Sequence, residues 1–300
     1  MIIPRKIPPL LKEGRKMRNS QRKNDIDVVL SAFRSFRSIS SVGYLSTPIT
    51  TGVLFYKVLA KYGVKTLEEL IAIDNSILFE EIIKPNTSSG IILGDQLAQK
   101  WHIPIIVPAV FEAKSQRWTQ DDYMYVWYQV IKEMVGHTIM RDDWQYSNGG
   151  AEEFVHSVEM QFRLLLAPPV GECFPRYISV DLFPDQFTDK EIEFPEKMMK
   201  ITDQNGVDVR IEDGVVKISE AIIDLYQRGF RAIKLLALLL QLLGIATCAH
   251  HYLKSEEYRN SGLIPSSEID EGLIINCWTK AMNVSKEDVN FKEILSLCYS

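Results

Sequence analysis

The sequence has little of what several common protein classes require. Its four cysteines, in 300 residues, are scattered and form no Cys-x-x-Cys pair, so neither a zinc site nor a disulfide framework is indicated. No Gly-x-x-x-x-Gly-Lys-Ser/Thr loop occurs, and no Gly-x-Gly-x-x-Gly follows a predicted strand. These absences argue against P-loop phosphoryl transfer and against a dinucleotide-binding dehydrogenase. A reducing compartment is the default for such a chain, and we expect a cytoplasmic protein.

A broad excess of positive charge and a long apolar run are missing as well. The net charge is -5, whereas general nucleic-acid binders need a basic surface that displaces counterions. The most apolar run, residues 235–246, follows Lys234 and contains Gln241. It is shorter than the roughly 20 residues that span a bilayer, so we expect no membrane contact. A buried core helix and an oligomer interface both remain open for this run.

Basic residues are concentrated near the start of the chain. Residues 1–37 contain ten Lys or Arg and three acids. Such a segment is compatible with phosphate-backbone contacts, with an organellar presequence or with a solvated tail. We interpret residues 1–38 as a basic, flexible N-terminal arm, the one part of the chain suited to nucleic acid.

Strand and helix patterns alternate after the arm. The strand candidates are residues 41–46, 103–111 and 137–144. Helical spacing of apolar residues occurs in the segments 66–84, 88–102, 119–136 and 149–167. This order predicts an α/β domain over residues 39–170, with a doubly wound, mostly parallel sheet of the Rossmann or flavodoxin-like kind.

The remaining residues, 171–300, are predicted to form a mainly helical C-terminal extension. Residues 176–183 are a further strand candidate, and 184–206 are interpreted as a polar loop region. Helical patterns cover residues 215–229 and 230–253, and shorter helices are expected from 254 onward.

The predicted topology brings three loops together. In doubly wound sheets, ligands bind beyond the carboxyl ends of the strands. Residues 44–52, 108–118 and 142–153 follow or end such strands. The third of these loops begins the stretch "DDWQYSNGGAEEF", which we consider the best candidate for a site.

The chemistry of this stretch suits attack on a sugar. Glu152 and Glu153 lie in the first turns of a predicted helix, whose positive dipole end favours an ionised carboxylate. A fixed carboxylate of this kind can attack an anomeric carbon. Asp142 or Asp143 would protonate the leaving group, and Trp144 and Tyr146 would offer faces for a base. The structural alternatives are a helix-dipole complement, a plain turn and core aromatics.

Two segments carry a resemblance to a known family. "VGYLSTPITTG" and "DDWQYSNGGAEEF" resemble the nucleoside 2-deoxyribosyltransferase-like superfamily, and in particular its uncharacterised branch with a Trp-x-x-Ser-x-Gly-x-x-x-Glu type of motif. The resemblance covers about residues 40 to 166. The chain departs from the family at Ser147, where true deoxyribosyltransferases often have Asp, and it is about twice their usual length.

The resemblance implies a role for individual residues. Glu153 would be the nucleophile, Tyr44 would contact the sugar and the nucleophile, and Asp142 or Asp143 would supply the acid. The implied substrate-binding residues are Ser46, Pro48, Asp122, Trp144, Ser147, Asn148, Gly149 and Gly150. Independently of the resemblance, Lys114 and Arg117 follow the second strand and are candidates for binding a 5'-phosphate.

The expected function is cleavage or exchange of the N-glycosidic bond of a nucleoside or nucleotide. This chemistry requires no metal ion and no redox cofactor. In the superfamily a neighbouring subunit often completes the sugar pocket, so the resemblance also implies a homo-oligomer. The alternatives are a non-catalytic nucleotide-binding regulatory module on the same fold, and a scaffold whose basic arm and C-terminal helices carry the function.

Overall fold

The computed structural model describes residues 9–35, 42–111, 118–165 and 199–253. Within these ranges the chain combines a parallel β-sheet with mostly helical surroundings. The strands are β1 (Gly43–Ser46), β2 (Ile105–Ile106), β3 (His137–Met140) and β4 (Lys200–Asp203). They form one four-stranded sheet in the order β2-β1-β3-β4, and every pairing is parallel. The expected α/β class is confirmed at this level.

The helices of the described residues fall before, between and after these strands. They are α1 (Pro9–Arg34), α2 (Val53–Tyr62), α3 (Leu67–Ile73), α4 (Asn75–Ile77), α5 (Lys84–Trp101), α6 (Gln120–Met134), α7 (Asn148–Leu165), α8 (Ile211–Gln227) and α9 (Ile233–Leu253). A π-helical segment, Leu78–Ile83, leads into α5. Short 3₁₀ turns occupy Pro108–Val110 and Trp144–Tyr146.

Side-chain alternation along β1 explains how helices cover both faces of the sheet. Successive residues of a strand point to opposite faces. Leu45 packs with Ile139 and with Leu97 of α5 on one face. Tyr44 lies on the other face, in a cluster that includes Trp127 of α6. Both faces of this parallel sheet are therefore buried, as parallel sheets require.

The apolar run of α9 is a core helix over its described side chains. Leu235, Leu239 and Leu242 are fully buried, in the cluster that also contains Phe154 of α7 and Ile218 of α8. Of the two interpretations left open above, burial within the chain therefore accounts for this run, which leaves the homo-oligomer without support from it. No helix in the described part of the chain is long and apolar enough to cross a membrane.

The basic arm differs from its prediction. Residues 9–34 form α1, and Ile26 and Leu30 are buried in the cluster with α6. Arg34 makes a two-point contact with Glu133 at 2.7 Å. A flexible tail is therefore wrong for the second half of α1. Apolar residues every three to four positions form a narrow stripe there, and the surrounding charges obscured it.

The second half of the sheet also differs from the prediction. β4 lies inside residues 184–206, for which the sequence predicts a loop. Because β4 pairs with β3, the sheet extends beyond residue 170, the predicted end of the α/β domain. The sequence of β4, Lys-Ile-Thr-Asp, is short and polar at three of its four positions, so nothing local distinguishes it from a loop. The strand predicted over 103–111 is reduced to Ile105–Ile106. The strand candidate 176–183 and the helices expected after 253 lie outside the described residues.

Candidate functional site

The strand order places a topological switch point at the carboxyl ends of β1 and β3, and we call this position the crevice. From β1 the chain crosses to β2 on one side and later returns to β3 on the other side. The direction in which the chain adds strands to the sheet therefore reverses between β1 and β3. In open parallel sheets, ligands bind at such a point. The two strand ends are joined here by a hydrogen bond of 3.3 Å from Arg141 N to Ser46 O. The first turns of α7 follow directly after β3.

Glu153 is the acid that faces this position. The Tyr44 hydroxyl donates to Glu153 Oε1 at 2.6 Å, and the Ser46 hydroxyl donates to Oε2 at 2.5 Å. Tyr44 and Ser46 are two residues apart on β1, so their side chains share the face that α7 covers. Glu153 is 6% exposed, and the two hydroxyl-bearing residues are fully buried. One carboxyl group is thus held at both oxygens by neutral donors.

Burial dominates the protonation equilibrium of this group. It raises the pKa of Glu153 to about 7, against the hydrogen bonds from Ser46 and Tyr44, and the charge of Glu152 adds to the rise. Burial and the neighbouring Glu153 charge raise the pKa of Tyr44 well above its usual value. Tyr44 therefore remains a hydrogen-bond donor at neutral pH, while Glu153 is poised between its two protonation states.

The N-terminus of α7 is capped from within the chain. Ser147 O accepts from Ala151 N at 2.9 Å, and Ser147 Oγ accepts from Gly150 N at 3.2 Å. Thr51 Oγ1 accepts from Asn148 N at 3.1 Å and lies 3.2 Å from Ser147 Oγ. Asn148 and Gly150, two of the residues implied to bind substrate, therefore use their amide groups within the chain. Thr51 was not predicted, since a hydroxyl in a turn gives no sign of which helix it will cap.

Close packing explains two of the small residues around the crevice. A Cβ atom on Gly150 would lie 2.8 Å from the Trp144 carbonyl oxygen, whereas one on Gly149 would approach nothing closer than 3.9 Å. Gly52 has φ of +109°, and a Cβ there would lie 2.9 Å from the Cβ atom of Pro48, which is itself buried. Gly150, Gly52 and Pro48 therefore shape the loops, whereas a Cβ atom on Gly149 would make only ordinary van der Waals contacts.

The aromatic residues of the motif do not form a stacking surface. Trp144 is 1% exposed and packs against Phe154, with ring centroids 4.5 Å apart. Tyr146 is partly buried against the same core, and its hydroxyl is hydrogen-bonded to Asp224. The expectation that Trp144 offers a face to a base is therefore wrong, because the 3₁₀ turn directs its ring into the core.

The two aspartates of the motif point away from Glu153. Asp142 is exposed, and its Oδ2 accepts from Gln204 Nε2 at 2.5 Å, in the loop after β4. Asp143 is also exposed and adopts a left-handed backbone conformation with φ of +62°. Neither has a hydrogen bond to Glu153 among the described residues. The prediction that one of them works beside Glu153 as an acid is not met by this geometry.

Of the remaining predicted binding residues, only Asp122 lies within the described part of the chain. Asp122 forms a capping box with Thr119 at the start of α6, and its Oδ1 lies 3.4 Å from Arg22 Nε. Its carboxylate oxygens therefore have partners in α1 and at the cap of α6, and it holds these two helices together. Lys114 and Arg117 lie outside the described residues.

A second cluster of charges lies on the side of α7 that faces α9. His156 Nε2 lies 3.9 Å from Glu152 and His156 Nδ1 lies 3.7 Å from Glu159, while Lys234 Nζ lies 2.6 Å from Glu152. We call these four residues the α7 ion cluster. The His156 ring also contacts the edge of Tyr128 at 4.6 Å. The described residues hold no group of three or more His, Cys, Asp or Glu suited to a metal ion.

Charge controls the pKa values of this cluster. Burial opposes ionisation of Glu152, but His156 and Lys234 outweigh it and lower the pKa of Glu152 to about 2. Burial likewise opposes ionisation of His156, but the carboxylates of Glu152 and Glu159 raise the pKa of His156 to about 9. At neutral pH Glu152 is therefore ionised and His156 is protonated, so that the two charges compensate each other.

Comparisons with known proteins supply no further assignment. No family model, no curated protein and no solved structure matched this chain. The function of this chain must therefore be inferred from the geometry and the chemistry of the crevice.

Proposed function

We propose that the crevice of Tyr44, Ser46 and Glu153 binds a nucleoside or nucleotide and cleaves or exchanges its N-glycosidic bond through Glu153. The observation that carries the proposal is the buried pairing of Tyr44 and Ser46 with Glu153 where β1 and β3 end. The residues that make the pairing are those on which the resemblance to the nucleoside 2-deoxyribosyltransferase-like superfamily depends.

The finer classification of the sheet is part of the same proposal. We assign the sheet to a doubly wound, flavodoxin-like arrangement, whose order begins 2-1-3-4 as in this chain. In such folds the ligand lies over the switch point between the first and third strands. Glu153 reaches this position from the helix that follows the third strand.

The chemistry follows from the two hydroxyl contacts. Each oxygen of the ionised Glu153 accepts one hydrogen bond and keeps another lone pair for attack on C1' of the sugar. The new C–O bond forms as the C1'–N bond breaks, and the base leaves with the bonding electrons and takes up a proton. Water then hydrolyses the glycosyl ester, or the nitrogen of a second base displaces Glu153. Tyr44 and Ser46 hold the carboxylate in place throughout.

A non-catalytic nucleotide-binding module is the second candidate, and specific observations favour it. Glu153 is nearly inaccessible, both of its oxygens are bonded within the fold, and Asp142 and Asp143 are exposed. A buried carboxyl group with no neighbouring proton donor for the base is also expected if Glu153 only stabilises the fold through its hydrogen bonds. In this case ligand binding would persist without turnover.

Base release measured by chromatography separates the two candidates. The wild-type chain and Glu153→Gln are incubated with a panel of nucleosides, nucleoside 5'-monophosphates and NAD. Gln keeps the size of the side chain and an acceptor oxygen but cannot form the ester. We expect release by the wild type and a loss of more than about 1000-fold in Glu153→Gln.

Glu220→Gln is the matched control, because Glu220 is an exposed acid on α8. It should leave base release unchanged. Equal release by wild type and Glu153→Gln would remove Glu153 from the role of nucleophile. A silent panel, combined with a ligand-dependent rise in Tm that Glu153→Gln retains, would favour the binding module.

A further inference from the structure

Arg141 stands out among the described arginines by its position and its partners. It directly follows β3 at the switch point and is partly buried. Its Nη2 donates to Ser89 Oγ of α5 at 2.9 Å. No carboxylate in the described ranges lies within ion-pair distance of it. Other arginines do have such a carboxylate, namely Arg22, Arg34, Arg210 and Arg228.

A buried hydroxyl group lies at the same point of α5. Thr47 follows β1, is 6% exposed, and its Oγ1 has no hydrogen-bond partner among the described residues. It packs against Gly90, where an added Cβ atom would lie 3.3 Å from Thr47 Oγ1. Gly90 is the neighbour of Ser89, which binds Arg141. A buried hydroxyl without a partner is unfavourable unless a ligand satisfies it.

Ser46 connects this position to Glu153. Its hydroxyl donates to the Glu153 carboxyl group, and its carbonyl oxygen accepts from the backbone amide of Arg141. By strand alternation Ser46 faces α7, whereas Thr47 and Arg141 face α5. The end of β1 therefore separates a carboxyl group on one side from an uncompensated guanidinium group on the other.

A ligand with an anionic end fits this arrangement better than a neutral one. A guanidinium group has five N–H donors and pairs with phosphate oxygens in a two-point geometry. The amide groups of Asn148 and Gly150 at the start of α7 already serve Thr51 and Ser147. An anion at that helix end would also lie close to Glu152 and Glu153. Within the described part of the chain, Arg141 is the better phosphate donor.

We propose that Arg141, supported by Ser89 and Thr47, binds the 5'-phosphate of the substrate, so that the ligand is a nucleoside monophosphate rather than a nucleoside. This inference rests on the proposed function, because it takes the sugar to lie between Arg141 and Glu153. It moves the phosphate from Lys114 and Arg117 of the sequence prediction to the end of β3.

Calorimetric titration tests this assignment without relying on turnover. The wild-type chain is titrated with nucleosides and with the matching 5'-monophosphates of the same bases. We expect the monophosphate to bind about 10- to 100-fold more tightly. Inorganic phosphate should compete with the monophosphate and leave nucleoside binding unchanged.

Variants then assign the difference to one side chain. Arg141→Gln should reduce the ratio of monophosphate to nucleoside affinity to about one, and nucleoside affinity should be unchanged. Arg141→Lys keeps the charge and should retain part of the ratio of monophosphate to nucleoside affinity. It replaces Arg141→Gln as the test if the glutamine variant does not fold. Arg231→Gln is the control, because Arg231 is an exposed arginine between α8 and α9.

The outcomes separate this inference from the proposed function. Equal affinities in the wild type, no binding of either ligand, or a ratio that survives in Arg141→Gln would each overturn the phosphate assignment. Base release from nucleosides in those cases would leave the proposed function standing. Conversely, a ratio lost in Arg141→Gln without base release from any ligand would support the subsite and reject the glycosidic chemistry.

Discussion

On the side of α7 that faces β1, Glu153 is held by two neutral hydroxyl groups, those of Tyr44 and Ser46. On the side that faces α9, the preceding residue Glu152 is held by the charges of His156 and Lys234. Both carboxyl groups are largely removed from water. The pKa of Glu153 is about 7 and that of Glu152 is about 2.

The difference shows what decides the state of a buried acid. Hydrogen bonds from neutral donors offset only part of the cost of burying a negative charge, whereas nearby cations more than offset it. Glu152 is therefore fixed as an anion that attaches α7 to α9. Glu153 can change its protonation state near neutral pH, and such groups are enriched at functional sites. The following four predictions test this contrast.

The largest expected effect is on stability, in the α7 ion cluster. His156→Gln would leave Glu152 and Glu159 facing each other without the cation between them. Removing one partner of a buried ion pair typically costs about 3 to 5 kcal/mol. The pKa of His156 is raised to about 9, so its stabilisation is present below about pH 6.5 and is lost as the pH rises through 9. Urea unfolding at pH 6 and pH 10 measures both effects.

The control for His156 is Lys234→Gln. The Lys234 side chain is 47% exposed, so its loss should cost at most about 1 kcal/mol. A deficit in His156→Gln that is equal at pH 6 and pH 10 would show that packing against Tyr128, and not charge, is what His156 contributes.

The second effect concerns Glu153, where the substitution is expected to stabilise the chain relative to wild type as the pH rises. Its pKa in the folded chain, about 7, lies above the ordinary value of 4.5. The contribution of Glu153 to the free energy of unfolding is therefore largest below about pH 4.5, and it is lost as the pH rises to about 7. Glu153→Gln does not titrate, so it should gain on the order of 3 kcal/mol relative to wild type between pH 4 and pH 8. Tm measured at both pH values checks this, and a pH-independent difference between the two proteins would contradict it.

The third effect is on the rate of base release, if Glu153 is the nucleophile. Only the ionised carboxylate attacks, so the rate should rise tenfold per pH unit below about 7 and level off above it. Between pH 5 and pH 8 the expected increase is about 100-fold. A rate that is constant over this interval would assign the nucleophile to an acid that is already ionised, such as Glu152.

The smallest effect isolates one hydroxyl group. Tyr44→Phe removes the donor to Glu153 Oε1 and leaves the ring in the core. The ionised form of Glu153 loses a charge-assisted hydrogen bond, so its pKa should rise further, by about one unit. The midpoint of a carbon-13 NMR titration of the Glu153 carboxyl group measures the shift. Tyr62→Phe is the matched control, because the Tyr62 hydroxyl donates to Glu81 instead; an equal shift in both variants would contradict a local cause.

The sequence was a good guide where local signals were strong. The strand candidates 41–46 and 137–144 and the amphipathic segments indicated β1, β3, α6 and α7, and the helical pattern over 119–136 began at Thr119, which caps α6. It was a poor guide where pairing over long distances decides. β4 has no local sequence signature and forms because it can pair with β3. The apolar stripe of α1 is buried only because Trp127 and its neighbours pack against it.

Within the site the same division holds residue by residue. The spacing of Tyr44 and Ser46 on β1 determined that both would face one side of the sheet, and the helical pattern determined that Glu153 would lie early in α7. Only the tertiary structure decided that these residues, 109 and 107 positions away from Glu153, would supply its hydrogen bonds. It also turned Asp142 toward Gln204 and buried Trp144. The physical reason is that periodicity encodes which face a side chain takes, whereas the charge and solvation of a group depend on whatever the rest of the chain places against that face.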